Sequence, residues 1–304
     1  AEHHFHPGGV CPSPPVLLSA IGQRTQRIRI GVMVSVLPFH NAVDVAEQYA
    51  TLDRLSGGRL NLGVGSGYIP MEFEGFGVDP ETKRERFDRG LETLLAAWRG
   101  DPVRVSGNSS APVRLNVRPI QAPSPPVWVA VQRPEAIPFI ARRGLSLALV
   151  PYATLETIEE LAEEVRSYRR ELPEGARVTV SAALHVYAGP HPDHARAALQ
   201  RYLDSRRVTQ SAFYQEKVRR DSRHAFATVI ERSGFAAIGS AAEVSERLER
   251  FREAGVDELL GIFDFGGLPV EEAIESVRAI APSFAEGASS GPGPSVSGRD
   301  ARSI

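Results

Sequence analysis

Apolar residues fall along this chain in two alternating textures. Short runs dense in β-branched and aliphatic side chains occur at RIRIGVMVSVL (27 to 37), RLNLGVG (59 to 65), PVWVAVQ (126 to 132), LSLALV (145 to 150), RVTVSAALHVY (177 to 187) and DELLGIFDF (257 to 265). Several are apolar at consecutive positions, as parallel strands buried on both faces are. Between them the period lengthens to that of a helix. Asn41 to Ser56 sets Val45, Tyr49, Leu52 and Leu55 on one face, with Asn41 as N-cap and Gly57-Gly58 as stop. A second helix is predicted from the cap Asp79 and from Pro80 at its first position, through the stripe Phe87, Leu91, Leu94 and Trp98 to Gly100. Ser240 and Glu243 form a capping box ahead of Val244, Leu248 and Phe251, and Pro269 opens a last helix through Ile280.

Repeated strand-then-helix order leaves two architectures, a doubly wound sheet or a (β/α)8 barrel. Gly63, Gly65 and Gly67 follow a strand, but their spacing is GxGxG and no helix is predicted until Pro80, which argues against a dinucleotide-binding turn. No composition break divides residues 1–285, so a single domain is expected. The tail 286–304, EGASSGPGPSVSGRDARSI, has too few large apolar side chains to offset the entropy of ordering it and is expected to be disordered.

Composition narrows the partners. A chain of 304 residues that is 42% hydrophobic can bury a sizeable core. Its 35 Lys and Arg are interspersed with 37 Asp and Glu, so no field exists to gather nucleic acid or an anionic membrane. The lone Cys11 forms no internal disulfide, and no apolar run approaches the roughly 20 residues that span a bilayer. A reducing, cytoplasmic location is the expectation.

Chemistry concentrates at the start, where Glu2, His3, His4 and His6 occupy four of five positions. In one reading His4 and His6 hold a divalent metal at a strand end, as in a metal-dependent hydrolase. His185 and Asp264 are then the only further strand-end ligands, and this incomplete set makes a metal centre unexpected. In the other reading a histidine on a barrel rim moves protons beside an organic cofactor, since an imidazole with a pKa near ~6.5 can donate or accept near neutrality.

Three blocks carry a resemblance: AEHHF (1 to 5), AEQYATLDRLSGGRLNLGVGSGY (46 to 68) and PVWVAVQRPEAIPFIARRG (126 to 144), with weaker similarity through IGSAAEVSERLERFREAGVDELL (238 to 260). They resemble the luciferase-like family of flavin-dependent monooxygenases and oxidoreductases. The resemblance implies an α/β fold, a TIM-type (β/α)8 barrel holding reduced FMN, or in some relatives a deazaflavin, at the C-terminal mouth of its strands. It further implies oxidation of a small organic substrate with O2, a separate flavin reductase, and a homodimer pairing through helix 41 to 56. By the same resemblance His3 is a base or hydrogen-bond donor at the reactive flavin edge, with His4 its neighbour. Met33 and Val34 would lie behind the flavin ring at a non-proline cis peptide. Ser66 stands where many relatives have a phosphate-binding arginine, and Gln132 and Arg133 would restore the positive charge at a helix N-terminus. AEHHF ordinarily closes the second barrel strand, so the first strand and helix are expected to be lacking. That leaves six strands and the stub at Ala1, a raw sheet edge, and the alternative of a flavin-binding protein without turnover. The segment from Gly189 to Gly239, with Tyr202, Phe213, Tyr214, His224 and Phe226, is the expected substrate lid.

Overall fold

The computed structural model describes residues 1–5, 11–104, 111–205 and 226–285. His6, Phe213, Tyr214, His224 and the tail 286–304 lie outside the described residues. Seven strands form one sheet: β1 (Ile30–Val36), β2 (Leu60–Gly65), β3 (Val127–Val131), β4 (Ser146–Leu149), β5 (Val180–Ala188), β6 (Ala236–Gly239) and β7 (Glu258–Ile262). Every pairing is parallel. Each of the six expected runs contains one of these strands, trimmed at its ends. β6 is additional, because AAIG is too short to carry a period of its own.

Strands β1 to β5 pair in chain order. The long β5 then carries two further neighbours. Ala182 faces both Leu149 of β4 and Leu259 of β7, and His185 faces both Ala236 of β6 and Ile262 of β7. β7 therefore runs along one edge of β5, while β4 and β6 share the other. β1 and β7 each pair with a single strand, so the sheet curls without closing among the described residues. Its two ends still approach each other: Arg29, just before β1, and Glu258, at the start of β7, feel each other's charge. The expected raw edge is present, and residues 2–4 flank the β1 side of it, with Glu2 N–H donating to Val34 O at 3.0 Å.

Helices cover the outside: α1 (Pro14–Arg24), α2 (Ala42–Leu55), α3 (Pro70–Gly75), α4 (Lys83–Arg99), α5 (Ile137–Arg142), α6 (Pro151–Thr154), α7 (Ile158–Arg170), α8 (Pro192–Ser205), α9 (Phe226–Arg232), α10 (Ala241–Glu253) and α11 (Val270–Ala285). The cap of α2 is Asn41, whose side chain accepts from Val43 N–H at 2.9 Å. Val45, Tyr49 and Leu52 are buried, but Leu55 is 53% exposed, because the helix ends there and its last side chain overhangs the core. On α4 all four stripe residues are buried, and the Trp98 indole N–H donates to Ala46 O of α2 at 2.9 Å. α1 has no counterpart among the expected helices; Pro14 and Pro15 start it, where their missing N–H groups cost nothing.

The LDRLSGGR block is architectural. Buried Asp53 accepts the N–H groups of Ile120 and Gln121 at 2.8 and 3.1 Å and the Gln121 side-chain amide at 2.7 Å, fixing the approach to β3. Gly57 and Gly58 turn the chain at φ 67 and 79, a conformation glycine adopts without steric cost. Arg59 then donates to the carbonyls of Gly22, Thr25 and Ile28, holding the α1 to β1 connection against β2.

Candidate active site

The C-terminal ends of the strands carry the titratable side chains of the terminal segment. Glu2, laid against the tip of β1, accepts Val36 N–H at 2.9 Å and the Ser35 hydroxyl at 3.0 Å through Oε2. Its Oε1 pairs with His4 Nε2 at 3.0 Å and His40 Nε2 at 2.6 Å. Burial is the largest influence on the Glu2 carboxyl and acts to raise its pKa. The hydrogen bond and charge of His40, with the bonds from His4 and Val36, outweigh it and hold the group below the usual carboxylate range.

A second carboxylate arrives from another element. Pro70 starts α3 two residues before Glu72, which is 1% exposed. Glu72 Oε1 accepts His4 N–H at 2.8 Å and lies 3.1 Å from His3 Nδ1. An ionised carboxylate can only accept, so this contact calls for a proton on His3 Nδ1. The His3 ring meets Tyr68 edge-on at 6.2 Å. Phe39, Phe73 and Phe76 stack beside the cluster, with Phe76 4.6 Å from the His4 ring. A Cβ on Gly75 would lie 2.3 Å from the exposed Phe5 ring, which would have to move aside.

Ser66 and Tyr68 follow β2 on the same rim, half-buried, while Gln132 and Arg133 follow β3 and are exposed. Met33 and Val34 lie in β1 where its register against β2 shifts, and the peptide bond between them is cis. A Cβ on Gly65 would come within 2.7 Å of Val34 Cγ2, so the glycine lets β2 close on this part of β1. Lys83 opens α4 near Arg133. Burial and then the Arg133 charge hold its ammonium below the usual lysine range, with Glu81 partly opposing. Lys83 and Arg133, on separate elements, thus feel each other's charge, and two such cations are donors suited to a phosphate. Arg84 and Arg143 lie nearby but stack on the Phe139 ring, at 4.6 and 3.6 Å.

The His3 ring and the His4 N–H both reach Glu72, and the His4 ring reaches Glu2 beside His40; the sequence assigned no role to Glu72 or His40. Lys83 was missed as well. Of the further ligands weighed for a hydrolase, His185 is fully buried among Tyr152, Tyr202 and Phe265 at 4.8 to 5.2 Å and Asp264 is exposed, while His6 lies outside the described residues.

The model of the luciferase-like monooxygenase family matches residues 1–258. The chain belongs to this family. A protein of Sinorhizobium fredii, y4wF, is 33% identical over 290 residues, 92% of this chain and 83% of its own. The oxygenase component of the flavin-dependent trigonelline monooxygenase of Acinetobacter baylyi is 24% identical over 285 residues, 87% of this chain and 78% of its own. Among solved structures, the oxygenating constituent of 3,6-diketocamphane monooxygenase from Pseudomonas putida, in complex with FMN, superposes with TM-score 0.72 at 17% identity, covering 93% of this chain and 86% of that one. The curled parallel sheet is thus a luciferase-like barrel, open at its β1 and β7 edges. Among the described residues no helix is long and apolar enough to cross a membrane.

Proposed function

We propose that the protein is the oxygenase component of a two-component flavin-dependent monooxygenase, which takes reduced FMN from a separate reductase and oxidises a small organic molecule with O2. The observation that carries this reading is a histidine with a carboxylate-fixed ring, His3 on Glu72, on the same rim as the cation pair Lys83 and Arg133. The donor set fits FMN: Lys83, Arg133 and Ser66 would hold its phosphate, and the glycine-lined face of β2 with Met33 and Val34 would lie behind its ring. Bound there, reduced FMN supplies the electrons that activate O2. His3 accepts or returns a proton at Nε2, while Glu72 stabilises the charged ring as it forms. The phenylalanines beside His4 and the Tyr68 ring give that end an apolar lining.

The test supplies photoreduced FMN to the purified protein with a panel of small substrates that includes trigonelline and 3,6-diketocamphane. Binding of reduced FMN together with substrate-dependent product is expected. His3→Ala should retain FMN binding and lose ~10²-fold or more in product formation. FMN binding without turnover on any substrate would favour the non-catalytic flavin-binding alternative, and binding of a deazaflavin alone would change the cofactor.

A further inference from the structure

Glu2, His4 and His40 converge from two separate stretches of backbone. The terminal segment supplies two of them, and the third follows the 3-10 turn Leu37–Phe39 at the tip of β1. Their donor atoms all lie within 4.8 Å of one another. We propose that these three side chains bind a divalent transition metal of the zinc type, which clamps the terminal segment to the turn after β1.

Two imidazole nitrogens and one carboxylate oxygen are a donor set that zinc takes. At tetrahedral angles and bonds of about 2.0 to 2.1 Å, ligand atoms stand about 3.3 Å apart. Glu2 Oε1 already lies 3.0 Å from His4 Nε2 and 2.6 Å from His40 Nε2, so these two pairs need to open by about 0.3 and 0.7 Å. The outer layer is in place too. Val36 N–H and the Ser35 hydroxyl hold Glu2 Oε2, which aims Oε1 into the cluster. The Glu2 side chain is 1% exposed and that of His4 9%, whereas His40 is 32% exposed and gives an ion its way in from solvent. Sequence spacing pairs His4 with His6; the fold supplies Glu2 and His40 instead. The ion would add to the hydrogen bonds that already hold residues 2–4, from Glu2 to Val34, Ser35, Val36 and His40, from His3 N–H to Cys11 O and from His4 N–H to Glu72, and would tie the segment more firmly to the start of α2.

Co2+ is the probe of choice, because its visible ligand-field bands distinguish four-coordinate protein nitrogen and oxygen ligation from the aqueous ion. Metal-stripped protein is titrated with CoCl2, and thermal unfolding is followed with and without ZnCl2. We expect one equivalent of Co2+ with a four-coordinate spectrum, and a Tm that rises with Zn2+. Both should vanish in His40→Gln, whose amide still donates to Glu2 and preserves the packing but is a poor ligand. A wild-type spectrum of aqueous Co2+ overturns the proposal, and so do bands or a Zn2+-dependent Tm that persist in His40→Gln. Neither readout uses flavin, so failure here and failure of the oxygenase reading are separate results.

Discussion

Glu72 illustrates how one buried oxygen can organise a site. It takes the His4 N–H and faces His3 Nδ1, so it fixes both the path of the terminal segment and the tautomer of the ring that segment presents. Glu72→Gln keeps the shape and removes the charge, and an interaction of a charged hydrogen bond is worth about 1.5 to 3 kcal/mol. Turnover should therefore fall roughly 10- to 100-fold while the Kd for FMN stays within about twofold, a split that single-turnover and binding measurements resolve. The cation pair makes the opposite expectation. Lys83→Ala and Arg133→Ala should weaken FMN but not riboflavin, which lacks the phosphate, again by about 1.5 to 3 kcal/mol. Half-buried Lys83 should sit at the upper end of that range and exposed Arg133 at the lower. Equal losses for both flavins would mean that the phosphate is held elsewhere. His3 and His4 draw attention in the sequence because histidines crowd one short segment. Glu72 and Lys83 were not, since each is ordinary in its own neighbourhood and acquires its meaning from a residue 50 or more positions away.

Elements announced themselves in proportion to their length and punctuation. α10 follows from its capping box: the Ser240 hydroxyl accepts Glu243 N–H, and Glu243 Oε2 accepts Ser240 N–H at 2.8 Å. β6 and α1 did not, the first for want of length and the second because prolines that begin a helix look like prolines that prevent one. α7 carries a titration that its pattern hides. Burial first, and the Glu160 charge second, push the Glu164 carboxyl from 4.5 up to about 7. A carboxyl whose folded pKa is raised favours the fold while it is protonated, so its contribution is whole below the unfolded value and is lost as pH climbs toward the folded one. Glu164→Gln should raise the Tm above pH 7 and leave it unchanged below pH 4.5, the window set by those two values. A Tm gain of the same size at both ends would mean that the shift is not the cause.

At the scale of the molecule the barrel is a sheet with a seam. Alternation of strands and helices foretold the parallel sheet, and the count of strands foretold that it would not close. What no local pattern conveyed is how much apolar surface borders the seam. Val270, Ile274, Val277 and Phe284 of α11 and Val16, Leu17 and Ile21 of α1 are all exposed. Behind α11, residues of β5, β7 and α10 line an apolar cleft of about 380 Å³ that includes Leu184, Leu259, Phe263 and Ile280. The seam also grades the backbone by accessibility to deuterium. In β3 and β4 both edges are paired, so their amides should exchange slowly and evenly; in β7, which among the described residues has only β5 beside it, every second amide points out of the ladder. Exchange along Glu258–Ile262 should therefore alternate fast and slow from residue to residue, and a uniformly slow β7 would reveal another strand lying against it.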